Sequence, residues 1–296
     1  MNFDFAVAVG YFAGWRLVRA LPEKFAYKTF DAIGRYTLKR NGARVKRLRS
    51  NLSRVCPTKS SSEMDDLMRQ AMSSYMRYWC DTFRSPDWSR ERIVSTVTVD
   101  GEELLTAPMK NGTGVVVALP HAGNWDHAGS YFCGMGFPLV TVAERLKPEA
   151  LFNKFLEYRQ NIGMEVLALD SRSIVTLMQR AREGRLIALV ADRDLSKSGV
   201  SVSFFGHPAR MPAGPALLAI RTGIPLITAY VSYTSTGIHI VFKSVEIPSH
   251  GSEEEKISHI VQRCADQFAE GIASAPQDWH MLQRIWVDGD FQERSA

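Results

Sequence analysis

The N-terminal segment lacks the long hydrophobic run that would cross a bilayer. Its uncharged stretch, residues 5–15, lies between Asp4 and Arg16 and falls well below the ~20 residues that a transmembrane helix needs. A secretory signal carries basic residues before its apolar part, whereas the earliest charge here is Asp4. We therefore expect neither a membrane span nor an export signal at this end.

Closely spaced cysteines are also missing. No CxxC pair occurs among Cys56, Cys80, Cys133 and Cys264. Widely separated cysteines are typical of free thiols in a reducing compartment. We expect a protein that resides in the cytosol or faces it.

Acidic residues are absent between Asp31 and Glu63, and this gap is rich in basic residues: Arg35, Lys39, Arg40, Arg44, Lys46, Arg47, Arg49, Arg54 and Lys59. The preceding segment carries Phe3, Phe5, Tyr11, Phe12 and Trp15, followed by Arg16 and Arg19. Such a combination can lie in an anionic membrane surface, with the aromatic rings in the lipid. The alternative is an ordinary solvated helix face. Nucleic acid is not expected as a partner, because the aromatic residues do not interleave with the basic ones.

No long Gly/Ser/Pro-rich linker divides the 296 residues. We expect an N-terminal helical region over residues 1–85, which associates with membranes, and one integrated catalytic core over residues 86–296. The spacing of Ser62 and Asp65 predicts a capped helix start, and the Met and aromatic stripe that follows predicts a face packed in the core.

From residue 95 onward, short β-branched runs alternate with helical segments. The predicted strands lie near 95–100, 114–120, 138–143, 164–169, 185–192, 224–231 and 238–245, and the predicted helices near 101–110, 125–134, 148–161, 172–183, 213–222 and 254–272. This alternation predicts an α/β fold with a central, mostly parallel, twisted sheet flanked by helices. Chemistry in such folds sits at the carboxyl ends of the strands.

Three of those strand ends carry polar clusters. His121 directly follows "GVVVALP", and Gly123 allows a tight turn that could bring Asp126 to the imidazole, the arrangement of a general base. Glu144 and Arg145 follow the strand "PLVTVA", and Arg145, Lys147 and the more distant Arg159 could surround a phosphate. Asp192 and Arg193 end the strand "RLIALVAD", where an acid can orient a hydroxyl or pair with a histidine.

Other classes of function remain open on these residues. Asp192 and Asp194 match the short DxD signature of metal-dependent glycosyltransferases, and a metallohydrolase could use His121, Asp126 and His127. A membrane scaffold without activity is a further alternative. The GxSxG elbow of a serine hydrolase is absent.

The stretch "LPHAGNWDHAG" resembles the histidine and acid motif of the lysophospholipid and glycerol-phosphate acyltransferase superfamily, in the branch of the lipid A late acyltransferases. Four further stretches, beginning at residues 10, 141, 191 and 276, are similar to members of that branch that acylate mannosylated phosphatidylinositol in the bacterial envelope. The resemblance implies transfer of a long acyl group, such as palmitoyl, from acyl-CoA to the 6-hydroxyl of the mannose on the inositol 2-position. A lipid A-type or other lysophospholipid acyltransferase is the alternative within the superfamily.

The same resemblance implies roles for individual residues. His121 is the expected base and Asp126 its partner. From the chemistry of acyl transfer we also expect turn amides around Gly123 and Asn124 to hold the oxyanion. Substrate binding falls to Glu144, Arg145, Arg159, Asp192 and Arg193, and Asp192 stands where the family has a glutamate. Acyl-CoA is a co-substrate, and no cofactor or metal is expected. The expected location is the cytoplasmic face of the plasma membrane, as a peripheral protein.

Overall fold

The computed structural model describes residues 14–143, 149–169 and 173–289. Phe3, Phe5, Tyr11 and Phe12 of the predicted docking segment, and Glu144, Arg145 and Lys147 of the predicted site, lie outside these residues. Within the described ranges, no helix has both the length and the apolarity to cross a bilayer.

Four helices come first: α1 (residues 14–20), α2 (Glu23–Arg40), α3 (Ala43–Val55) and α4 (Ser61–Arg84). The capping box of α4 is formed by Ser60 and Glu63, two residues before the predicted pair. Ser60 accepts from the backbone N–H of Glu63, and the Glu63 carboxylate accepts from that of Ser60. Ser62 and Asp65 have the same spacing, but the cap of the helix lies two residues earlier.

The apolar faces of α3 and α4 join the main core of the protein. Leu48, Leu52, Leu67 and Met72 belong to the same hydrophobic cluster as sheet residues such as Ile187. The Met stripe of α4 is therefore core packing, as its periodicity predicts. The boundary at residue 85 stays a prediction.

Trp15 does not take part in a docking surface. It is buried, and its indole N–H donates to the carbonyl of Phe83. Arg19 on the same helix forms an ion pair with Asp87. The expectation that Trp15 inserts into lipid was wrong, because a tryptophan on a short helix can equally anchor that helix to the protein.

The remaining elements include every helix and strand predicted from residue 95 onward. They are α5 (Arg90–Ser95), β1 (Val97–Asp100), α6 (Glu103–Lys110), β2 (Val115–Leu119), α7 (Trp125–Gly134), β3 (Leu139–Ala143), α8 (Glu149–Asn161), β4 (Met164–Ala168), α9 (Ser173–Arg182), β5 (Leu186–Val190), β6 (Val200–Phe204), β7 (His207–Met211), α10 (Gly214–Thr222), β8 (Leu226–Tyr233), β9 (Ile238–Val245) and α11 (Glu253–Ser274). The helix α5 and the strands β6 and β7 come in addition to the predicted elements.

Within the described residues, seven strands form one sheet in the order β1-β9-β8-β2-β5-β3-β4. All neighbours are parallel except β8 and β9, which form an antiparallel pair. The predicted α/β fold with a mostly parallel central sheet is confirmed. Strand β2 is buried on both faces, with Val116 in one hydrophobic cluster and Val117 in the other, as expected for a parallel sheet covered by helices.

Candidate active site

The central strands β2 and β5 bring His121 and Asp192 together. They are parallel neighbours whose last paired residues are Leu119 and Val190. His121 and Asp192 each lie two positions beyond that pair, and the Ala191 N–H donates to the Leu119 carbonyl between them. Both side chains therefore project from the carboxyl edge of the sheet, where α/β folds place their ligands.

The imidazole of His121 makes a short contact with the Asp192 carboxylate. Nδ1 of His121 lies 2.6 Å from Oδ1 of Asp192. The Asp192 side chain is fully buried, whereas that of His121 is 40% exposed. An ionised carboxylate only accepts, so Nδ1 carries the proton and Nε2 is the nitrogen that can act as a base.

The second oxygen of Asp192 fixes the orientation of the carboxylate. Oδ2 accepts from the backbone N–H of His121 and from the indole N–H of Trp279, each at 3.0 Å. Burial alone would raise the pKa of the Asp192 carboxyl, but the charge of His121 and these hydrogen bonds together lower it. Asp192 thus stays anionic although it is shielded from water.

The turn after β2 requires glycine at position 123. Gly123 has a φ of +57°, and a Cβ there would lie 2.5 Å from the Val231 carbonyl oxygen. Its N–H donates to the Asp278 carbonyl. The expectation that the Gly123 amide holds an oxyanion was therefore wrong, because this N–H already has a partner within the protein. The Asn124 side chain accepts from the His127 N–H and so caps α7.

Asp126 does not form the predicted pair with His121. Its carboxylate accepts from Nε and Nη2 of Arg159, at 2.8 and 3.2 Å, and from the Tyr78 hydroxyl at 3.1 Å. Asp126 sits in the first turn of α7, and it connects that helix to α8. Because Asp126 already belongs to helix α7, the direction of its side chain is set by the helix and not by the turn. The side chain therefore points toward α8 and α4 instead of toward the imidazole.

The other predicted substrate residues are separated in the structure. Arg159 is engaged by Asp126, and Nε of Arg193 donates to the Arg284 carbonyl in the C-terminal segment. Asp192 is the partner of His121. Substrate binding by Arg159 and Arg193 stays a prediction.

Sequence reasoning missed the aromatic and acidic groups behind the turn. Trp125 packs edge-on to the His121 ring at 5.8 Å and stacks on Tyr78 at 4.3 Å. Asp81 is buried and accepts from Asn124 and from the hydroxyls of Tyr27 and Tyr233. Burial raises the pKa of Asp81 despite these donors. These residues lie far apart in sequence, and only their aromatic and acidic character could have suggested a buried network.

The hydrogen bonds of Asp192 and Asp194 argue against the two metal-dependent functions that the sequence left open. Both Asp192 oxygens are occupied by N–H donors, and Oδ1 of Asp194 accepts from the Ser196 N–H, so the DxD pair does not form an open metal site. Among the described residues, no group of three His, Cys, Asp or Glu side chains is placed to ligate a metal ion.

A sequence model of the bacterial lipid A biosynthesis acyltransferases matches residues 5–288. The chain belongs to this acyltransferase family. Its similar relatives include proteins named phosphatidylinositol mannoside acyltransferase. One, from Mycolicibacterium smegmatis, is 42% identical over 97% of this chain and 94% of its own length. Another, from Mycobacterium tuberculosis, is 39% identical over 97% of this chain and 90% of its own length.

The acyltransferase family gives the histidine and carboxylate pair a chemical context. The resemblance inferred from the sequence motifs is confirmed by both comparisons. Acyl transfer to a hydroxyl needs a base beside the acceptor oxygen, and a half-exposed imidazole held by a buried carboxylate meets that need.

Proposed function

We propose that this acyltransferase moves a long acyl group, such as palmitoyl, from acyl-CoA to the 6-hydroxyl of the mannose on the inositol 2-position of a phosphatidylinositol mono- or dimannoside. The observation that carries the proposal is the contact between His121 and Asp192 at the carboxyl edge of the sheet. The names of the similar relatives support the acceptor.

In the proposed reaction, Nε2 of His121 takes the proton of the mannose hydroxyl as its oxygen attacks the thioester carbonyl. The tetrahedral intermediate then expels the coenzyme A thiolate, which receives that proton from the imidazolium. Asp192 stabilises the imidazolium and holds the productive tautomer. In this reaction the acid beside the base is Asp192 and not Asp126. The reaction needs neither a metal nor a cofactor, because a thioester is already an activated acyl donor.

Asp126 has a different task in this proposal. Its carboxylate joins Arg159 of α8 to α7 and is itself buried. A buried ion pair that loses one partner leaves an uncompensated charge. We therefore assign Asp126 to the positioning of α8 next to the site, and binding of the polar substrate by Glu144, Arg145, Arg159 and Arg193 stays a prediction.

The proposal also places the protein on an anionic membrane, as a peripheral protein of the cytoplasmic face of the plasma membrane. Helices α1 and α2 expose large apolar side chains: Leu17, Phe25, Ile33 and Tyr36. Phe25 and Tyr36 are about three turns apart and share one face, and exposed Lys28 and Lys39 flank them at the same spacing. An acceptor anchored by its own acyl chains is reached from such a surface.

Part of the basic block is engaged within the protein. Arg35, Arg49 and Arg54 form ion pairs with Asp31, Asp65 and Asp288 respectively. The docking surface that the structure supports is therefore the exposed side of α1 and α2, more than the whole stretch of residues 1–59.

The description of the matching family favours one second candidate, a lipid A-type acyltransferase with the same base. An assay with labelled acyl-CoA separates the two, with phosphatidylinositol mannosides and lipid A precursors as competing acceptors and mass spectrometry locating the new ester. We expect label on the mannose 6-hydroxyl, with or without EDTA. Label on the lipid A precursor alone, or loss of transfer with EDTA, contradicts the proposal.

A further inference from the structure

Trp279 lies directly behind the carboxylate that holds His121. It is fully buried, and its ring packs edge-on to Phe204 at 6.0 Å. Its indole N–H donates to Oδ2 of Asp192, the oxygen that does not face the imidazole. The indole thus contacts neither the imidazole nor the open side of the site.

The backbone around Trp279 is fixed to the catalytic turn. Ala122 and Trp279 form an antiparallel bridge, in which the His280 N–H donates to the His121 carbonyl at 2.7 Å and the Gly123 N–H donates to the Asp278 carbonyl at 2.8 Å. The same segment therefore supports both the backbone of His121 and, through Trp279, its carboxylate partner.

The segment is itself anchored from the opposite side. The Asp278 carboxylate accepts from the Ser74 hydroxyl at 2.6 Å and from the Tyr233 N–H at 2.8 Å. The Ser74 hydroxyl in turn lies 2.9 Å from Nε2 of His280. These contacts give the indole of Trp279 one defined position relative to Asp192.

We propose that Trp279 is a positioning residue for the base, acting on His121 through Asp192. The inference rests on the proposed function in which His121 is that base. The two donors on Oδ2 prevent rotation of the carboxylate and so keep Oδ1 directed at Nδ1. Of these donors, only the Trp279 N–H can be removed by substitution, since the other belongs to the backbone of His121.

The indole N–H also sets how much negative charge Asp192 presents to the imidazole. Without this donor, less of the charge is shared with Trp279, and the carboxylate favours the protonated form of His121 more strongly. Among the described residues, His280 is a titratable group close enough to His121 to feel its charge; burial and that charge lower the pKa of His280 to about 3, so it stays neutral in the assay range. The acid limb of kcat/KM should therefore move to higher pH when the donor is lost.

Trp286 provides a matched control in the same aromatic cluster. It is also buried and packs on Phe204, at 5.7 Å. Its indole nitrogen is buried and has no hydrogen-bond partner among the described residues. Trp286→Phe therefore removes the same side-chain volume as Trp279→Phe, and also an indole N–H, but it removes no hydrogen bond.

The test compares Trp279→Phe, Trp286→Phe and His121→Ala in steady-state acyl transfer across pH. We expect Trp279→Phe to lower kcat about tenfold, with KM nearly unchanged. Such a loss corresponds to about 1.4 kcal/mol in the barrier, close to the lower end of what a hydrogen bond to a charged group contributes. We also expect the midpoint of the acid limb of kcat/KM to move to higher pH by about half a unit in Trp279→Phe. Trp286→Phe should keep the wild-type pH profile.

Equal behaviour of the two Phe variants, or a loss of activity in Trp279→Phe with an unmoved acid limb, overturns the role of Trp279. Full activity of His121→Ala instead overturns the proposed function, so the two failures are distinguishable. If Trp279→Phe does not fold, benzothienylalanine is placed at position 279, since it keeps the ring size and lacks the N–H. The same changes in kcat and in the acid limb are then expected of that variant, and their absence overturns the role of Trp279.

Discussion

Nδ1 of His121 and Oδ1 of Asp192 lie 2.6 Å apart, although 71 positions separate the two residues in the chain. The contact depends on the pairing of Leu119 with Val190 at the ends of two central strands. Because Asp192 is fully buried and His121 is not, the proposed reaction lets the carboxylate act on substrate only through the imidazole.

Replacing Asp192 by Asn should reduce kcat with little change in KM. The neutral amide no longer stabilises the imidazolium, and its NH₂ group can face Nδ1 and select the wrong tautomer. General-base assistance contributes on the order of 10²–10⁴-fold, and we expect a loss within that range. Asp194→Asn is the control, since Asp194 accepts from the Ser196 N–H outside this contact. A normal kcat for Asp192→Asn contradicts the assignment.

Replacing Asp126 by Ala should mainly destabilise the fold. The change leaves the Arg159 guanidinium, whose side chain is only 18% exposed, without its partner. Breaking one side of a buried pair costs about 3–5 kcal/mol, measurable as a shift in urea unfolding. The double variant Asp126→Asn, Arg159→Gln should recover part of that loss. A fully stable but inactive Asp126→Ala would instead support the direct catalytic role predicted from the sequence motif.

Acid should weaken the fold below pH 6.5 through two buried histidines. Burial lowers the pKa of His127 to about 4 and that of His280 to about 3. The unfolded chain binds protons at these sites near pH 6.5, so between that value and each lowered pKa the unfolded state binds more protons. Unfolding free energy therefore falls with falling pH, by up to about 1.4 kcal/mol per unit for each histidine.

Urea unfolding of the wild type and of His127→Gln, at about pH 7 and about pH 5, checks this dependence. The wild type should lose more stability between the two conditions than His127→Gln. Asp81 and Asp278, whose pKa values burial raises, act with the opposite sign, but they are common to both proteins and cancel in the comparison. The exposed His259 serves as a control through His259→Gln. Equal pH dependence in all three proteins would count against the buried, neutral state of His127.

Vesicle binding should depend on the exposed apolar side chains of α1 and α2. Leu17 and Phe25 are each 62% exposed, and Val175 on α9 has the same exposure. We expect flotation with anionic vesicles to fall for Leu17→Ser, Phe25→Ser and to remain for Val175→Ser. Added salt should weaken binding, because charge attraction is screened beyond about 8 Å at physiological ionic strength. Unchanged flotation of the Leu17 and Phe25 variant would move the docking surface elsewhere.

The sheet strands could be read from the sequence because runs such as Val115–Leu119 are apolar on both faces. The hairpin of β6 and β7 was missed. Val200–Phe204 has the apolar/polar alternation of a half-buried strand, a signal that could have found β6, whereas the proline in His207–Met211 weakens the signal of β7. Helix α5 has only six residues and is capped by Ser89, so it is too short to show a helical periodicity.

The site residues could be found, but their pairing could not. His121 and Asp192 both follow central strands, and the rule that chemistry lies at strand ends selects them. Which acid meets the imidazole depends on the strand order, and β2 lies beside β5 although β3, β4 and three helices intervene in the chain. The local spacing favoured Asp126 because a sequence displays only neighbours along the chain. Trp279 lies in the similar stretch that begins at residue 276, but nothing in the sequence reveals its hydrogen bond to Asp192.

The most direct test of the account is acyl transfer by purified His121→Ala, with labelled acyl-CoA and a phosphatidylinositol mannoside as acceptor. Circular dichroism establishes that the variant is folded. The account predicts that kcat falls by on the order of 10²–10⁴-fold, because His121 takes the hydroxyl proton in the proposed reaction. A folded His121→Ala protein that acylates the mannoside at near wild-type rate would contradict it.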